Sequence, residues 1–514
     1  MSGTEKATVT LSIGELEGVR RDGLCLFKGV PYAAAPVGPR RWMPPQPIEP
    51  WQGVYRADKF REIAPQNPMI GGPNPEEPEP QSEDCLFLNI YSPGLDDARR
   101  PVMVWIHGGA FAFGSGSSPM NEASGLARRN DVVVVTVNYR LNLLGFLNLS
   151  EVTGGKIPAT GNEGLLDQAA ALRWVRDHIS TFGGDPNNVT VFGESAGAMS
   201  IACLLVMPAA KGLFHKAILE SGVGSTATPV SDAIAVAKLF LEVLGIAADD
   251  TDALRRLTVE QLLAAELTMR VRLASPWEPM RITATAPVVD GRVIPDVPSR
   301  LSAQGASKDI PMIIGTNLEE WKLFDLADPN KDKLDRAEVV RRLSEFVPAD
   351  LAANVYERYT QARARRNEDT TAPEISTAIN SDLMFRMPAL QLVQAQLRNN
   401  PQVYNYLFTY KSPVMGGIFG ACHALEIGFV FGTHDDFFCG TGAAADELSR
   451  CIQDAWTSFA RTGKPNCGSM GDWPTYGDKR WTMLIDTPCR LEAAPYEEER
   501  RAWDEVGELS NILL

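Results

Sequence analysis

The sequence predicts an α/β fold around one large, mainly parallel central sheet flanked by helices. Two patterns predict it: short β-rich runs that are apolar throughout, and amphipathic helical stretches that alternate with them. The third observation is size. The chain has 514 residues, 44% hydrophobic and 22% charged, enough to bury a large core without staples. No internal repeat or low-complexity linker divides it, so residues 1–514 read as a single domain with helical insertions at about 225–400.

Taken in order, TVTLSIGELEGVR (8–20) alternates apolar and polar residues and predicts an N-terminal hairpin. Residues 71–84 hold four prolines and no large apolar side chain, which predicts a surface loop that could rim an entrance. Strands are expected at Leu86–Tyr91, Val102–Ile106, Val132–Val137, Val189–Phe192, Ala217–Leu219, Met312–Ile314 and Val403–Phe408. Leu165–His178 reads as an amphipathic helix. Another opens at Ser231 with a polar cap and closes on Gly245. Asp332–Val347 and Ala349–Arg366 are charged and periodic, hence surface helices.

The charge sum excludes whole classes of function. Forty-nine Lys and Arg against 64 Asp and Glu leave −15, the opposite of a nucleic-acid footprint. The densest basic cluster, Arg363, Arg365 and Arg366, reads as a solvated helix end. No run reaches about 18 apolar residues, so no membrane span is expected. The N-terminus lacks the apolar stretch of a signal peptide, and the C-terminal SNILL is no retention or prenylation signal. The eight cysteines form no CxxC pair and read as free thiols in a reducing, cytoplasmic compartment. HExxH, P-loop and dinucleotide patterns are missing, and GSGSSP at 114–119 fails GxGxxG, so neither metal nor cofactor is expected.

The sharpest motif is Gly193-Glu194-Ser195-Ala196-Gly197, with the strand pattern NVTVF before it and the helical run AMSIACLLV after it. A serine on such a strand-to-helix turn is strained and exposed, and the glycines leave room for the close packing the turn forces. Its Oγ would stand at a strand's carboxyl end, where open α/β sheets bind ligands. The blander alternative is a serine that only caps a helix. His107-Gly108-Gly109-Ala110-Phe111 follows the strand VMVWI. Backbone N–H groups freed by its glycines, joined by the Ala196 amide, would suit a tetrahedral oxyanion. A plain Gly-Gly turn is the alternative, but two such motifs at two strand ends argue against coincidence.

On this kind of fold the order is serine, acid, histidine. Of the five histidines, only His423 and His434 leave room for an acid strand after Ser195. His215, inside GLFHKAI, reads as structural, and His434 after Gly-Thr as a surface residue. His423, shortly after VYNYLF, is the candidate base. The acid should end a strand between them. MIIG followed by TNLEE offers Glu319 and Glu320, which spacing does not separate, while Asp290 in APVVDG looks like a turn aspartate. Phe111, Phe113, Phe324 and Phe385 lie near these motifs; core packing is the commoner role for any one, but as a set they suggest an apolar gorge.

These stretches resemble the type-B carboxylesterase and cholinesterase family, in particular its bacterial para-nitrobenzyl esterase-like members. The resemblance spans nearly the whole chain and is most specific in FGGDPNNVTVFGESAGA (182–198) and EDCLFLNIYSP (83–93). It implies an α/β-hydrolase fold with a Ser195–Glu320–His423 triad, the acid falling on the second glutamate of GTNLEEW. It carries the oxyanion hole to Gly108, Gly109 and Ala196, and supporting roles around the triad to Glu194, Ser221 and Glu426. It also implies structural ion pairs Arg41–Glu83 and Arg140–Asp167, and a pocket that adds Ile282, Thr283 and Leu323 to the phenylalanines.

Departures from the family pattern narrow the expectation. Secreted members bridge the cysteine of EDCL to an upstream CxQ-like stretch; here that stretch is Ala64-Pro65-Gln66, so Cys85 lacks this partner. Cholinesterases carry a tryptophan before EDCL, but residues 68–82 contain no aromatic, which speaks against choline esters. Arg281-Ile282-Thr283-Ala284-Thr285 stands where cholinesterases narrow the acyl pocket with phenylalanines, which implies a roomier one. The expectation is a carboxylic ester hydrolase for broad apolar small-molecule esters, monomer or homodimer, working through an acyl-enzyme. Alternatives are carbamate or aryl-amide hydrolysis by the same groups, and a non-catalytic binding protein on the same fold.

Overall fold

The computed structural model of the chain describes residues 5–68, 79–222, 224–274 and 283–507. Its strands are β1 Glu5–Leu11, β2 Gly14–Arg21, β3 Leu24–Pro31, β4 Val54–Arg56, β5 Phe87–Ser92, β6 Arg100–Ile106, β7 Val133–Val137, β8 Gly184–Glu194, β9 Lys216–Glu220, β10 Thr228–Pro229, β11 Val288–Val289, β12 Met312–Asn317, β13 Val403–Phe408, β14 Trp481–Ile485 and β15 Arg490–Ala493. β10 and β11 pair with each other. The other thirteen form one sheet in the order β1-β2-β3-β5-β7-β6-β8-β9-β12-β13-β14-β15, with β4 beside β2.

The apolar runs are explained by burial on both faces. Along β6, Val102, Val104 and Ile106 enter one core cluster, while Met103 and Trp105 enter another. β7 splits the same way, with Val133 and Val135 against Val134. A third cluster joins Trp42 and Leu143 to the helices Val230–Leu244 and Val259–Leu273. The expectation of a mainly parallel sheet holds at the centre, where every neighbouring pair from β7 to β14 is parallel. At the edges the pairing is antiparallel: β1, β2, β3, β5 and β7 in succession, beginning with the expected N-terminal hairpin, and β14 with β15. Short turns join β1 to β2, β2 to β3 and β14 to β15 and dictate antiparallel pairing there, whereas β3, β5 and β7 are joined by longer stretches of chain.

Two helix expectations are corrected. The helix expected to open with a polar cap at Ser231 begins at Val230 behind Pro229, with no side-chain cap, although Gly245 does close it in the left-handed conformation at φ 64°. The stretch Asp332–Val347 is not one helix. A 3₁₀ turn at Lys331–Lys333 precedes the helix Arg336–Leu343, whose start is set by Asp335 accepting from the Glu338 amide. Glu163–His178 and Ala349–Arg365 form as expected. Arg365 and Arg366 pair with Glu498 and Glu499, so the basic cluster is a neutralised helix end.

Register puts five strand ends side by side. Ile106 of β6 is opposite Gly193 of β8, Glu194 is opposite Glu220 of β9, Glu220 is opposite Gly315 of β12, and Asn317 is opposite Phe408 of β13. The loops leaving these ends carry His107–Gly109, Ser195, Ser221, Glu320 and His423. The site therefore collects at the carboxyl edge of the parallel strands, where the strand order reverses.

Candidate active site

Ser195 sits between β8 and the helix Ala196–Leu204 at φ 53°, ψ −123°, a conformation that non-glycine residues rarely adopt. The glycines of its motif are required sterically: a Cβ on Gly197 would lie 2.0 Å from the Ile106 carbonyl oxygen, and one on Gly193 would lie 2.5 Å from it. The Ser195 amide is tied to the Glu220 carbonyl at 2.9 Å. Ser195 Oγ has no hydrogen-bond partner among the described residues and is left free to react. On the facing loop, a Cβ on Gly108 would lie 2.8 Å from the Glu194 carbonyl oxygen and 3.2 Å from the Ser195 Cβ, so glycine is needed for this approach. Among the described residues, the N–H groups of Gly108, Gly109 and Ala196 have no hydrogen-bond acceptor.

His423 is joined to Glu320 across 103 residues of sequence: Nδ1 stands 2.7 Å from Glu320 Oε2. The other Glu320 oxygen accepts from Ser221 Oγ at 2.6 Å and the Asn317 amide at 2.7 Å. A buried carboxylate so bonded can fix an imidazole tautomer and stabilise its cation. Nε2, the remaining ring nitrogen, lies 3.0 Å from Glu194 Oε1, off the line of a hydrogen bond, and that oxygen has no other partner. Burial, helped by the Glu320 charge, holds the Glu194 carboxyl well above the usual range. The same causes, with Glu194 added, push Glu426 up to about 8. Glu426 accepts from Asn317 Nδ2 at 2.6 Å and from Ser221 Oγ at 3.4 Å. Glu320 thus stands beside two carboxyls whose ionisation burial disfavours.

Glu319 points elsewhere. It accepts from Lys411 Nζ and from the Ala421 amide, both at 2.9 Å. Burial alone would raise its pKa, but Lys411 and Lys322 outweigh burial and the net shift is downward. Asp290 is a turn residue that accepts three successive backbone amides, from Arg292 to Ile294. His215 Nδ1 accepts from the Val189 amide, in keeping with a structural role. His434 is corrected: its side chain is only 11% exposed, stacked on Phe429 and 3.0 Å from Asp446. Burial lowers His107 to about 4, so it is neutral, stacked on Tyr139.

Of the expected pocket residues, Phe385 and Phe324 have ring centroids 4.7 and 5.3 Å from that of His423. Phe113 packs against Gly109, where a Cβ would meet its backbone and ring. Phe111 turns into the core against Phe146, and Leu323 packs on the second core cluster. Thr283 is buried and donates to the Thr285 carbonyl. Ile282, and 71–78 of the expected loop 71–84, lie outside the described residues. Sequence reading missed Asn317, Trp321, whose ring packs at a tilt against Phe324, and Glu220, whose carboxyl accepts from Trp456 Nε1 at 2.7 Å. Glu220 immediately precedes the supporting serine, Ser221, a signal that could have found it.

Both expected ion pairs form. Arg41 meets Glu83 at 2.5 and 2.7 Å, and buried Arg140 grips Asp167 with two bonds of 2.7 Å. Cys85 is buried and unbridged, and the other seven thiols are also unbridged, Cys467 and Cys489 among them being partly exposed.

A sequence model described as the carboxylesterase family matches residues 5–503. The chain belongs to the carboxylesterase family. It is 40% identical over 500 residues to the para-nitrobenzyl esterase of Bacillus subtilis, covering 96% of this chain and 97% of that one. It is 35% identical over 477 residues to the phenmedipham hydrolase of Pseudarthrobacter oxydans, covering 90% and 91%. The solved structure of a thermophilic PNB esterase superposes with a TM-score of 0.86 at 38% identity, covering 96% and 99%. The fold is the α/β-hydrolase fold, and this carboxylesterase is a carboxylic ester hydrolase. No helix among its described residues is long and apolar enough to cross a membrane.

Proposed function

We propose that this carboxylesterase cleaves apolar small-molecule esters through Ser195, His423 and Glu320. The contact of His423 Nδ1 with Glu320 Oε2 at 2.7 Å, beside the strained Ser195 turn, is the observation that carries the reading. His423 takes the Ser195 proton as Oγ attacks the ester carbonyl. The N–H groups of Gly108, Gly109 and Ala196 receive the oxyanion, which is supported by their lack of other acceptors. The bond to the alcohol oxygen breaks, and the alcohol leaves with the proton from His423. Water, activated by the same imidazole, then frees the acid from the acyl-enzyme. Glu320 stays ionised throughout. A hydrogen bond from Ser195 Oγ to His423 is not formed in the free site and, in this reading, is made when substrate is bound.

Phe324 and Phe385 supply apolar walls beside the base, with the chain read as one domain whose 225–400 stretch helps wall the site. Eight unbridged thiols support a cytoplasmic, bacterial-type enzyme. Hydrolysis of p-nitrophenyl esters of rising acyl length tests the reading, with Ser195→Ala as the comparison. A rate that persists beyond acetate and vanishes in the variant is expected; turnover retained by a clean preparation of the variant overturns it. The similarity to the phenmedipham hydrolase favours a second substrate class for the same groups, and phenmedipham belongs in the panel.

A further inference from the structure

The loop that bears Gly108 and Gly109 does not hold its own shape. Gly109, Ala110 and Phe111 have φ of 102°, 51° and 60°, and Gly114 returns to 102°. Inside the loop the backbone–backbone bonds among the described residues are those of Gly109 O, which accepts from the Ala112 and Phe113 amides at 2.9 and 3.0 Å, and Gly108 O lies 2.8 Å from His107 Nδ1. A run of left-handed residues persists only where its surroundings over-determine it.

Gln66 supplies that constraint. Its Oε1 accepts from the Gly114 amide at 2.7 Å, and its Nε2 donates to the Gly114 carbonyl at 3.1 Å. One side chain thus pairs both backbone groups of one residue, as a neighbouring strand would. Gln66 is itself held, with Nε2 donating to Ala64 O and its own amide bonded to Gln81 Oε1, both at 2.9 Å. The preceding Pro65 carbonyl accepts from Asn142 Nδ2, and the Asn142 amide donates to Phe111 O, both at 2.7 Å. The segment therefore grips the loop on both sides of Ala112 and Phe113. Gly114 in turn backs directly onto the donor residues: a Cβ there would lie 2.7 Å from His107 Nδ1 and 2.8 Å from Gly108 O.

We infer that Gln66 is a positioning residue that holds the Gly108 and Gly109 amides in the geometry needed for the oxyanion. This rests on the proposed role of those amides. The chemistry calls for a primary amide, which offers an acceptor and a donor side by side; a carboxylate offers two acceptors and would set one against the Gly114 carbonyl.

The experiment compares Gln66→Met and Gln66→Glu with wild type, measuring kcat and KM on p-nitrophenyl butyrate, inhibition by a trifluoromethyl ketone that forms a tetrahedral adduct, and Tm. Gln66→Met should lower kcat about 10- to 100-fold, the range for a small displacement of catalytic groups, with KM nearly unchanged. Affinity for the ketone should fall in parallel. Gln66→Glu should regain activity relative to wild type as pH falls, because the protonated carboxyl again offers one donor and one acceptor. Unchanged kcat, or a loss confined to KM or explained by unfolding, overturns the inference. So does a Gln66→Glu to wild-type ratio that does not vary with pH. Ser195→Ala runs alongside: if it stays active, the active-site reading fails; if it is dead while Gln66→Met is normal, only the clamp fails.

Discussion

Glu319 and Glu320 are chemically identical neighbours with different tasks. Glu320 reaches His423, while Glu319 is turned to Lys411 and the Ala421 amide and braces the loop that delivers His423. Glu320→Gln leaves an amide that cannot stabilise the imidazolium and can favour the wrong tautomer. It should cut kcat by about 10⁴-fold, as seen when a triad carboxylate becomes an amide. Glu319→Gln keeps an acceptor for Ala421 and should cost far less. Ester hydrolysis by the two variants checks the assignment, and equal losses would contradict it.

At the scale of elements, the strand–turn–helix around Ser195 is the most constrained piece of chain. β6 and the helix Ala196–Leu204 approach so closely that the Gly197 α-carbon has no room for a methyl group: the obstacle is the Ile106 carbonyl, backbone of β6. Gly197→Ala must shift the helix or the strand. It should destabilise the protein by about 1–3 kcal/mol and move the Ala196 amide, so Tm and kcat should fall together. A variant with the Tm and kcat of wild type would mean the turn is slacker than this packing indicates. A second element, the π-helical turn Asp382–Arg386, sets Phe385 against His423. It is pinned from outside, with the Tyr359 hydroxyl donating to Asp382 and Arg386 donating to the Pro495 carbonyl.

For the whole molecule, the distinctive cost is electrostatic. Glu194, Glu220, Glu320 and Glu426 are all buried at one edge of the sheet, and burial raises the pKa of Glu194, Glu220 and Glu426. Glu426 has an ordinary value of 4.5 and about 8 in the folded protein. Between these values the native state keeps a proton that the unfolded chain releases, so this residue's contribution to stability falls as pH rises through the window. Glu426→Gln cannot ionise and escapes that decline. Urea unfolding from about pH 5 to about pH 8 should show the variant gaining on wild type as pH rises. A constant difference across the window would place the Glu426 pKa near its ordinary value.

The sequence by itself determined the sheet centre, the Ser195 turn and the Gly108–Gly109 loop, because each depends on a local pattern: apolar runs for strands buried on two faces, and glycines where backbones touch. It also narrowed the histidines to two and the acids to Glu319, Glu320 and the turn-like Asp290, and only the family resemblance chose between the adjacent pair. Tertiary structure decided the rest. Which glutamate faces the imidazole depends on how β12 and β13 align, nearly a hundred residues apart in sequence. What Glu220, Asn317 and Gln66 touch is not legible locally, since their partners Trp456, Cys422 and Gly114 lie 236, 105 and 48 residues away. The antiparallel pairing of β3, β5 and β7 and the divided Asp332–Val347 stretch escaped for the same reason: pairing direction and helix length are set by what the chain packs against, and only the folded chain brings those surfaces together.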